Sequence, residues 1–241
     1  MKNEIQQQKY VRKYDTFWTV VFTDPITIRL TQIIAKYTSI TPNQISLLSA
    51  FVGLMAAAMF LKENLILGAV LWQLAYILDL TDGKLARFLS KTSKWGEFVE
   101  AVLDGLRNIA CFVAIAMVLA GRYSIIGVFV MVIYLELLLF YTGIVDFYFT
   151  LKRSMKRGQD KKKINFVKSK RPFGFYYKIK AIFAKYRIIP SPTSTECEAL
   201  IFVIGPLTGR ILEASILACI LLLLYTIVYT FKTYYFVKPK V

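Results

Sequence analysis

Residues 65–104 read LILGAVLWQLAYILDLTDGKLARFLSKTSKWGEFVEAVLD, and the reading of this stretch decides the fold. It opens as an apolar run, Leu65 to Leu78, and then places Asp79 and Asp82 at the run's far end. Past a short basic turn, Glu100 and Asp104 stand at the start of the next apolar run. Positions three or four apart share a helix face, so each pair of acids lies on one stripe. Two antiparallel helices joined by so short a turn can aim all four carboxylates at one spot. An ionised side chain at membrane depth costs about 2.5–3.5 kcal/mol on insertion scales, and helix packing needs none of these four. Pairing with Lys84, Arg87, Lys91 and Lys94 at a wet helix end would account for one such acid more readily than for four on two facing stripes.

Working outward, the apolar residues continue in long runs. Of 241 residues 56% are hydrophobic, and the mean hydropathy is +0.52. That is too apolar for a soluble domain and points to an all-α polytopic membrane protein. A formal net charge of +16 on such a chain bears on membrane sidedness and anionic lipid, and no nucleic-acid partner is expected. Histidine is absent, which excludes His-based triads, His-ligated zinc or haem, and imidazole bases. Cys111, Cys197 and Cys219 have no paired or metal-ligand spacing and read as small buried side chains. The polar first residues predict no cleavable signal peptide.

Residues 1–40 form an N-terminal cytoplasmic or interfacial segment. From about Tyr10 to Tyr37 it is amphipathic and interspersed with Lys and Arg, and Asp24-Pro25 interrupts it. It is read as one or two helices in the cytoplasmic interface, or else as a helix packed on the bundle. Residues 41–241 are read as a six-helix transmembrane catalytic domain. Thr41-Pro42 opens the first span as N-cap and first helical residue. The predicted spans run from about 41 to 60, 65 to 88, 96 to 119, 123 to 150, 195 to 208 and 211 to 231. Glu136 and Asp146, in the fourth, read as packing residues. Between Lys152 and Pro192 lie fourteen Lys or Arg and one acid, Asp160, interleaved with aromatics; this segment reads as a cytoplasmic binder of acidic headgroups and of a phosphorylated substrate. The tail from Ala199 to Phe231 is short for two spans, which ordinarily take about 40 residues. Charge sidedness favours two, because six spans put every basic segment, both termini and the acidic site in the cytoplasm, with only Lys62, Arg122 and Arg210 opposite.

Three or four carboxylates with no His or Cys nearby make a hard oxygen-ligand site, suited to Mg²⁺ or Mn²⁺ and also to Ca²⁺. Magnesium held by a few carboxylates usually serves to bind phosphates, and two such ions can clamp a phosphate through in-line displacement. Gly83 permits close approach beside the acids, and Arg87 offers a planar cation to phosphate oxygens. The residues alone therefore point to metal-assisted phosphoryl-type transfer at a membrane surface.

The pattern Asp79-x-x-Asp82-Gly83-x-x-Ala86-Arg87, followed by Gly96-x-x-x-Glu100-x-x-x-Asp104, resembles the signature of the CDP-alcohol phosphotransferases (CDP-alcohol phosphatidyltransferases). Ile40-Thr41-Pro42-Asn43-Gln44-Ile45-Ser46 looks like the same family's first-span opening. Together these cover about the first half of the chain, and beyond it only the six-helix outline is shared. The resemblance implies a phospholipid-type biosynthetic transferase that moves a phospho-alcohol or phosphatidyl group from a CDP-linked donor to an alcohol acceptor and releases CMP. It implies two Mg²⁺ or Mn²⁺ ions bound by Asp79 and Asp82, with Asp104 completing the metal site as a further ligand and acting as general base. Gly83, Ala86 and Arg87 would line the CDP pocket, and the protein would be a homodimer among membrane lipids. The stretch SKWGEFVEAVLDG looks most like the branch that makes inositol-containing phosphodiesters. One position departs: the family's third acid is Asp, and Glu100 stands in its place as the expected metal ligand. Two other classes remain open at this point: an intramembrane cation transporter, which would need acids near mid-membrane and access from both faces, and a catalytically weak scaffold binding anionic lipid through residues 152–192.

Overall fold

Helix starts in the computed structural model follow the capping groups that the sequence supplies. The structure describes residues 10–159, 183, 185–189 and 193–237. Thr41 and Gln44 form a reciprocal capping box, Thr41 N–H donating to Gln44 Oε1 at 2.8 Å and Gln44 N–H to Thr41 Oγ1 at 3.4 Å. With Pro42 pre-set in the first turn, this starts α2, Pro42–Leu61. Glu63 turns the chain at φ 55°, and Asn64 caps α3, Leu65–Phe88. Ser90, also at positive φ, and the Ser93 cap lead into α4, Lys94–Tyr123. Ser124 breaks the chain once more before α5, Ile125–Gln159.

Among the described residues, five helices are long and apolar enough to cross a membrane: Pro42–Leu61, Leu65–Phe88, Lys94–Tyr123, Ile125–Ser154 and Ile211–Tyr234. The protein is thus an all-α, multi-pass membrane protein. Its outer surface carries large apolar side chains such as Phe51, Ile109 and Leu139, between 60% and 68% exposed, as a lipid-facing surface requires. The core is aromatic: Trp72 stacks on Phe202 at 5.1 Å, and Phe112 meets Phe202 edge-on at 4.8 Å. Gly68 leaves the space that the Phe60 ring occupies; a Cβ there would overlap it.

The predicted short fifth span is helical over residues 194–208. This α6 consists of Ser194–Ala199, a π-helical turn Leu200–Ile204, and Gly205–Thr208. At 1.5 Å per residue it is about 22 Å long, against about 30 Å of hydrocarbon, so it is not among the five. Gly209 at φ 70° reverses the chain into α7, Ile211–Val237, and a Cβ on Gly205 would sit 2.9 Å from Ala214 Cβ. The basic segment 152–192 lies largely outside the described residues.

The N-terminal helix α1, residues 17–37, differs from expectation. Asp24-Pro25 does not divide it: a π-helical turn, Thr19–Thr23, runs directly into Asp24–Tyr37. The wider turn accommodates Pro25, which has no N–H to donate. The helix also buries its polar side. Thr19, Thr23, Thr27 and Thr31 form a buried stripe at four-residue spacing, while Phe22, Ile26 and Ile33 are exposed. Thr23 and Thr31 return their hydroxyls to carbonyls one turn back, and Thr19 Oγ1 meets Tyr76 OH at 2.9 Å. Helix α1 is therefore packed on α3, as the second of the two expectations for it has it, with an apolar flank turned outward.

Lys84, set against the site acids in the sequence reading, pairs elsewhere. Its Nζ lies 3.0 Å from Asp24 Oδ1, and Arg187 Nη2 lies 3.2 Å from Asp24 Oδ2. Lys84 and Asp24 are both at most 4% exposed. Breaking a buried pair costs about 3–5 kcal/mol, and without Lys84 the buried Asp24 keeps only the partly exposed Arg187, which places the cost at the low end of that range. Lys84→Ala is expected to lower thermal stability in detergent by that order, read from a melting curve. An unchanged curve would show that the pair does not hold α1 to α3.

Candidate active site

The last turns of α3 and the first turns of α4 converge because the 89–93 turn is short and Ser93 Oγ accepts the Gly96 N–H at 3.0 Å. Carboxylate oxygens of Asp79, Asp82 and Glu100 lie within 4.8 Å of one another. Asp82 is 2% exposed. Its Oδ2 accepts the hydroxyl of Ser46 from α2. Its Oδ1 is buried and has no hydrogen-bond partner among the described residues. A buried carboxylate oxygen left unsatisfied is costly and calls for a cation or donor. An all-oxygen ligand set with one such free atom fits a hard divalent cation.

Asp104 lies beside Asp79 but outside that three-acid group. Its Oδ1 is 3.2 Å from Arg107 Nη2, and Arg107 Nη1 is 3.6 Å from Asp79 Oδ1. Arg107 is 4% exposed, and the sequence reading passed over it. The available signal was its position on the face of Asp104, three residues on, inside an apolar run where a cation is as costly as an acid. Four carboxylates against Arg87 and Arg107 leave the site with a formal excess of negative charge.

Beside the acids is a cleft of about 90 Å³ lined by Asn43, Ser46, Asp82, Gly83, Ala86, Arg87 and Glu100, among others. Arg87 Nε donates to the Tyr10 carbonyl at 2.8 Å. This fixes the plane of the guanidinium and leaves its two terminal nitrogens near Gly83. A Cβ at Gly83 would sit 3.5 Å from Arg87 Nη1 and 3.8 Å from Glu100 Oε1, so glycine keeps open the space between cation and carboxylate. Tyr10 itself is 1% exposed and packs edge-on against Phe88 at 5.2 Å. Its part in orienting Arg87 was not legible in the sequence.

Glu136 and Asp146 are exposed on α5 and do not join the site. Cys111 and Cys197 are buried and Cys219 half-buried, all free thiols. A larger groove of about 490 Å³ between α5 and α7 is lined by residues such as Leu139, Phe147 and Tyr234 and contains no carboxylate.

The model of the CDP-alcohol phosphatidyltransferase family matches residues 39–231. The chain is 35% identical over 78 residues to the archaetidylinositol phosphate synthase of Pyrococcus horikoshii, covering 32% of this chain and 42% of that protein. It is 37% identical over 79 residues to the bifunctional IPC transferase and DIPP synthase of Thermococcus kodakarensis, covering 33% of this chain and 18% of the relative. It is 32% identical over 84 residues to the phosphatidylinositol phosphate synthase of Streptomyces avermitilis, covering 34% of each. The chain spans less than half the length of each of these relatives.

Proposed function

This chain belongs to the CDP-alcohol phosphatidyltransferase family, and we propose that it transfers a phospho-alcohol or phosphatidyl group from a CDP-linked donor to an acceptor hydroxyl, releasing CMP. The observation that carries this reading is the buried, unpartnered Oδ1 of Asp82 within a three-carboxylate group beside the signature cleft. Asp79, Asp82 and Glu100 would hold Mg²⁺ or Mn²⁺. When bound, the metal supplies Lewis-acid stabilisation of phosphoryl oxygens.

The chain's own residues account for the remainder. Arg87, with Nε held by Tyr10, presents its terminal N–H groups to the donor's phosphate oxygens, a charge-assisted contact. Gly83 leaves room for that phosphate. Asp104 accepts the proton of the acceptor hydroxyl, and Arg107 fixes the direction in which its carboxylate points. The acceptor oxygen bonds to the donor phosphorus as the P–O bond to CMP breaks, and CMP leaves with that electron pair. Two of the relatives are named for inositol phosphate lipids, which supports a phosphorylated inositol as acceptor and a CDP-linked lipid as donor. The active site and both termini face the cytoplasm under this proposal, which requires the short α6 to cross together with the five longer helices, so that most basic residues of the ends and connections fall on one side. The working form is a homodimer.

The test is CMP release by purified full-length protein given Mg²⁺ or Mn²⁺, a panel of lipidic and soluble CDP-linked donors, and inositol phosphate. Release that EDTA abolishes is expected. Cation flux in proteoliposomes with no CMP release from any donor would replace this reading with transport.

Glu100 bears on the same chemistry. Its carboxylate stands one C–C bond, about 1.5 Å, further from the backbone than an aspartate's would, and metal sites tolerate little displacement. Glu100→Asp restores the family's residue and is expected to retain or raise kcat. A loss of more than about tenfold (about 1.4 kcal/mol) would show that the site has been built around the longer side chain.

A further inference from the structure

The side chain of Arg107 reaches the acids through a notch in α2. A Cβ on Gly53 would overlap Arg107 Cγ and Cδ, so only glycine lets the stem pass. Beyond the notch, Nη1 donates to Ser49 Oγ at 2.9 Å and faces Asp79 Oδ1 at 3.6 Å, while Nη2 faces Asp104 Oδ1 at 3.2 Å. The guanidinium thus bridges one acid of the three-carboxylate group and the one acid outside it. Gly53 and Ser49 belong to α2, Asp79 to α3 and Asp104 to α4, so three helices hold the cation in place.

A two-ion clamp needs carboxylates for two centres about 3.5–4 Å apart, with at least one acid shared between them. Asp79, Asp82 and Glu100 supply the first centre. A second would have to draw on Asp104 and share Asp79, and these are the two carboxylates that Arg107 occupies. We infer that Arg107 takes the place of a second divalent ion: the site holds a single divalent ion, and a fixed guanidinium serves as its second cation. This rests on the proposal that the three carboxylates hold a divalent ion. It has a chemical consequence, since a buried guanidinium is always charged and stays on the protein, so one of the two cations opposite the reacting phosphate is independent of the supply of metal.

The experiment is a Mn²⁺ titration of purified full-length protein, following loss of the free-ion EPR signal. Wild type is expected to bind one Mn²⁺ per chain. Arg107→Met is expected to bind two, with the broadened spectrum of a closely spaced pair, and Arg107→Lys to remain at one. Gly53→Ala, which alters no charge but fills the notch, is expected to resemble Arg107→Met and keeps the test decisive if Arg107→Met does not fold. Two ions on wild type, or one ion on wild type and on both Arg107→Met and Gly53→Ala, would overturn the inference and leave the metal reading intact. No Mn²⁺ on folded wild type would overturn both.

Discussion

Asp82→Asn is expected to reduce CMP release at least about a thousandfold, equivalent to roughly 4 kcal/mol of transition-state stabilisation, and to abolish Mn²⁺ binding without unfolding the protein. The two oxygens of Asp82 have separate tasks. Oδ2 accepts the Ser46 hydroxyl and ties α3 to α2, while Oδ1 is buried with no hydrogen-bond partner among the described residues. An asparagine can keep the first task by turning its carbonyl towards Ser46. Its amide nitrogen then points where Oδ1 was, and an N–H donor repels a cation that a carboxylate oxygen would ligate. The same amide can donate to the neighbouring carboxylates, and loss of one negative charge relieves repulsion within the cluster. The melting temperature is therefore expected to stay level or rise as activity disappears. Turnover within tenfold of wild type would remove Asp82, and with it the three-acid site, from the chemistry.

The parts of this molecule that were legible in the sequence are those governed by neighbours along the chain. The bounds of α3 follow from an apolar run that starts after Asn64 and ends in the basic turn, and α2 starts where Thr41, Pro42 and Gln44 dictate. Asp79, Asp82 and Glu100 converge because helical spacing and a short turn leave them little alternative. The features that were not legible depend on partners remote in sequence. Thr19, Thr23, Thr27 and Thr31 look like a polar face bound for water, yet they are buried against α3 because Thr23, Thr27 and Thr31 return their hydroxyls to the preceding turn and Thr19 meets Tyr76. Lys84 looked like a counter-ion for the site acids, but Asp24, sixty residues earlier in the chain, takes it. Arg107 stands near the middle of α4, and nothing close to it in sequence says which way its side chain turns. Only the Gly53 notch, on another helix, turns it inward. The tail remained ambiguous for a different reason: α6 is too short for the length rule, and its π-helical turn carries no distinct apolar period.

Asp104→Asn is expected to separate proton transfer from metal binding. Asp104 is the signature acid that stands outside the three-carboxylate group and points instead at Arg107. Asparagine has the same shape, and its carbonyl can still accept from Arg107 Nη2, so the helix packing has no reason to change. It cannot act as a base. Losing a positioned general base costs about 10²–10⁴-fold in rate, and kcat should fall by that much. The KM for the donor should change little, because Gly83, Ala86 and Arg87 are untouched. Mn²⁺ should bind as in wild type, since its ligands come from the other three acids. The pair of variants then divides the site: Asp82→Asn loses both metal and turnover, whereas Asp104→Asn loses turnover alone. Full turnover by purified Asp104→Asn would take that residue out of the mechanism. Loss of Mn²⁺ along with turnover would make it a ligand rather than a base, which would require Arg107 to give way when the metal binds.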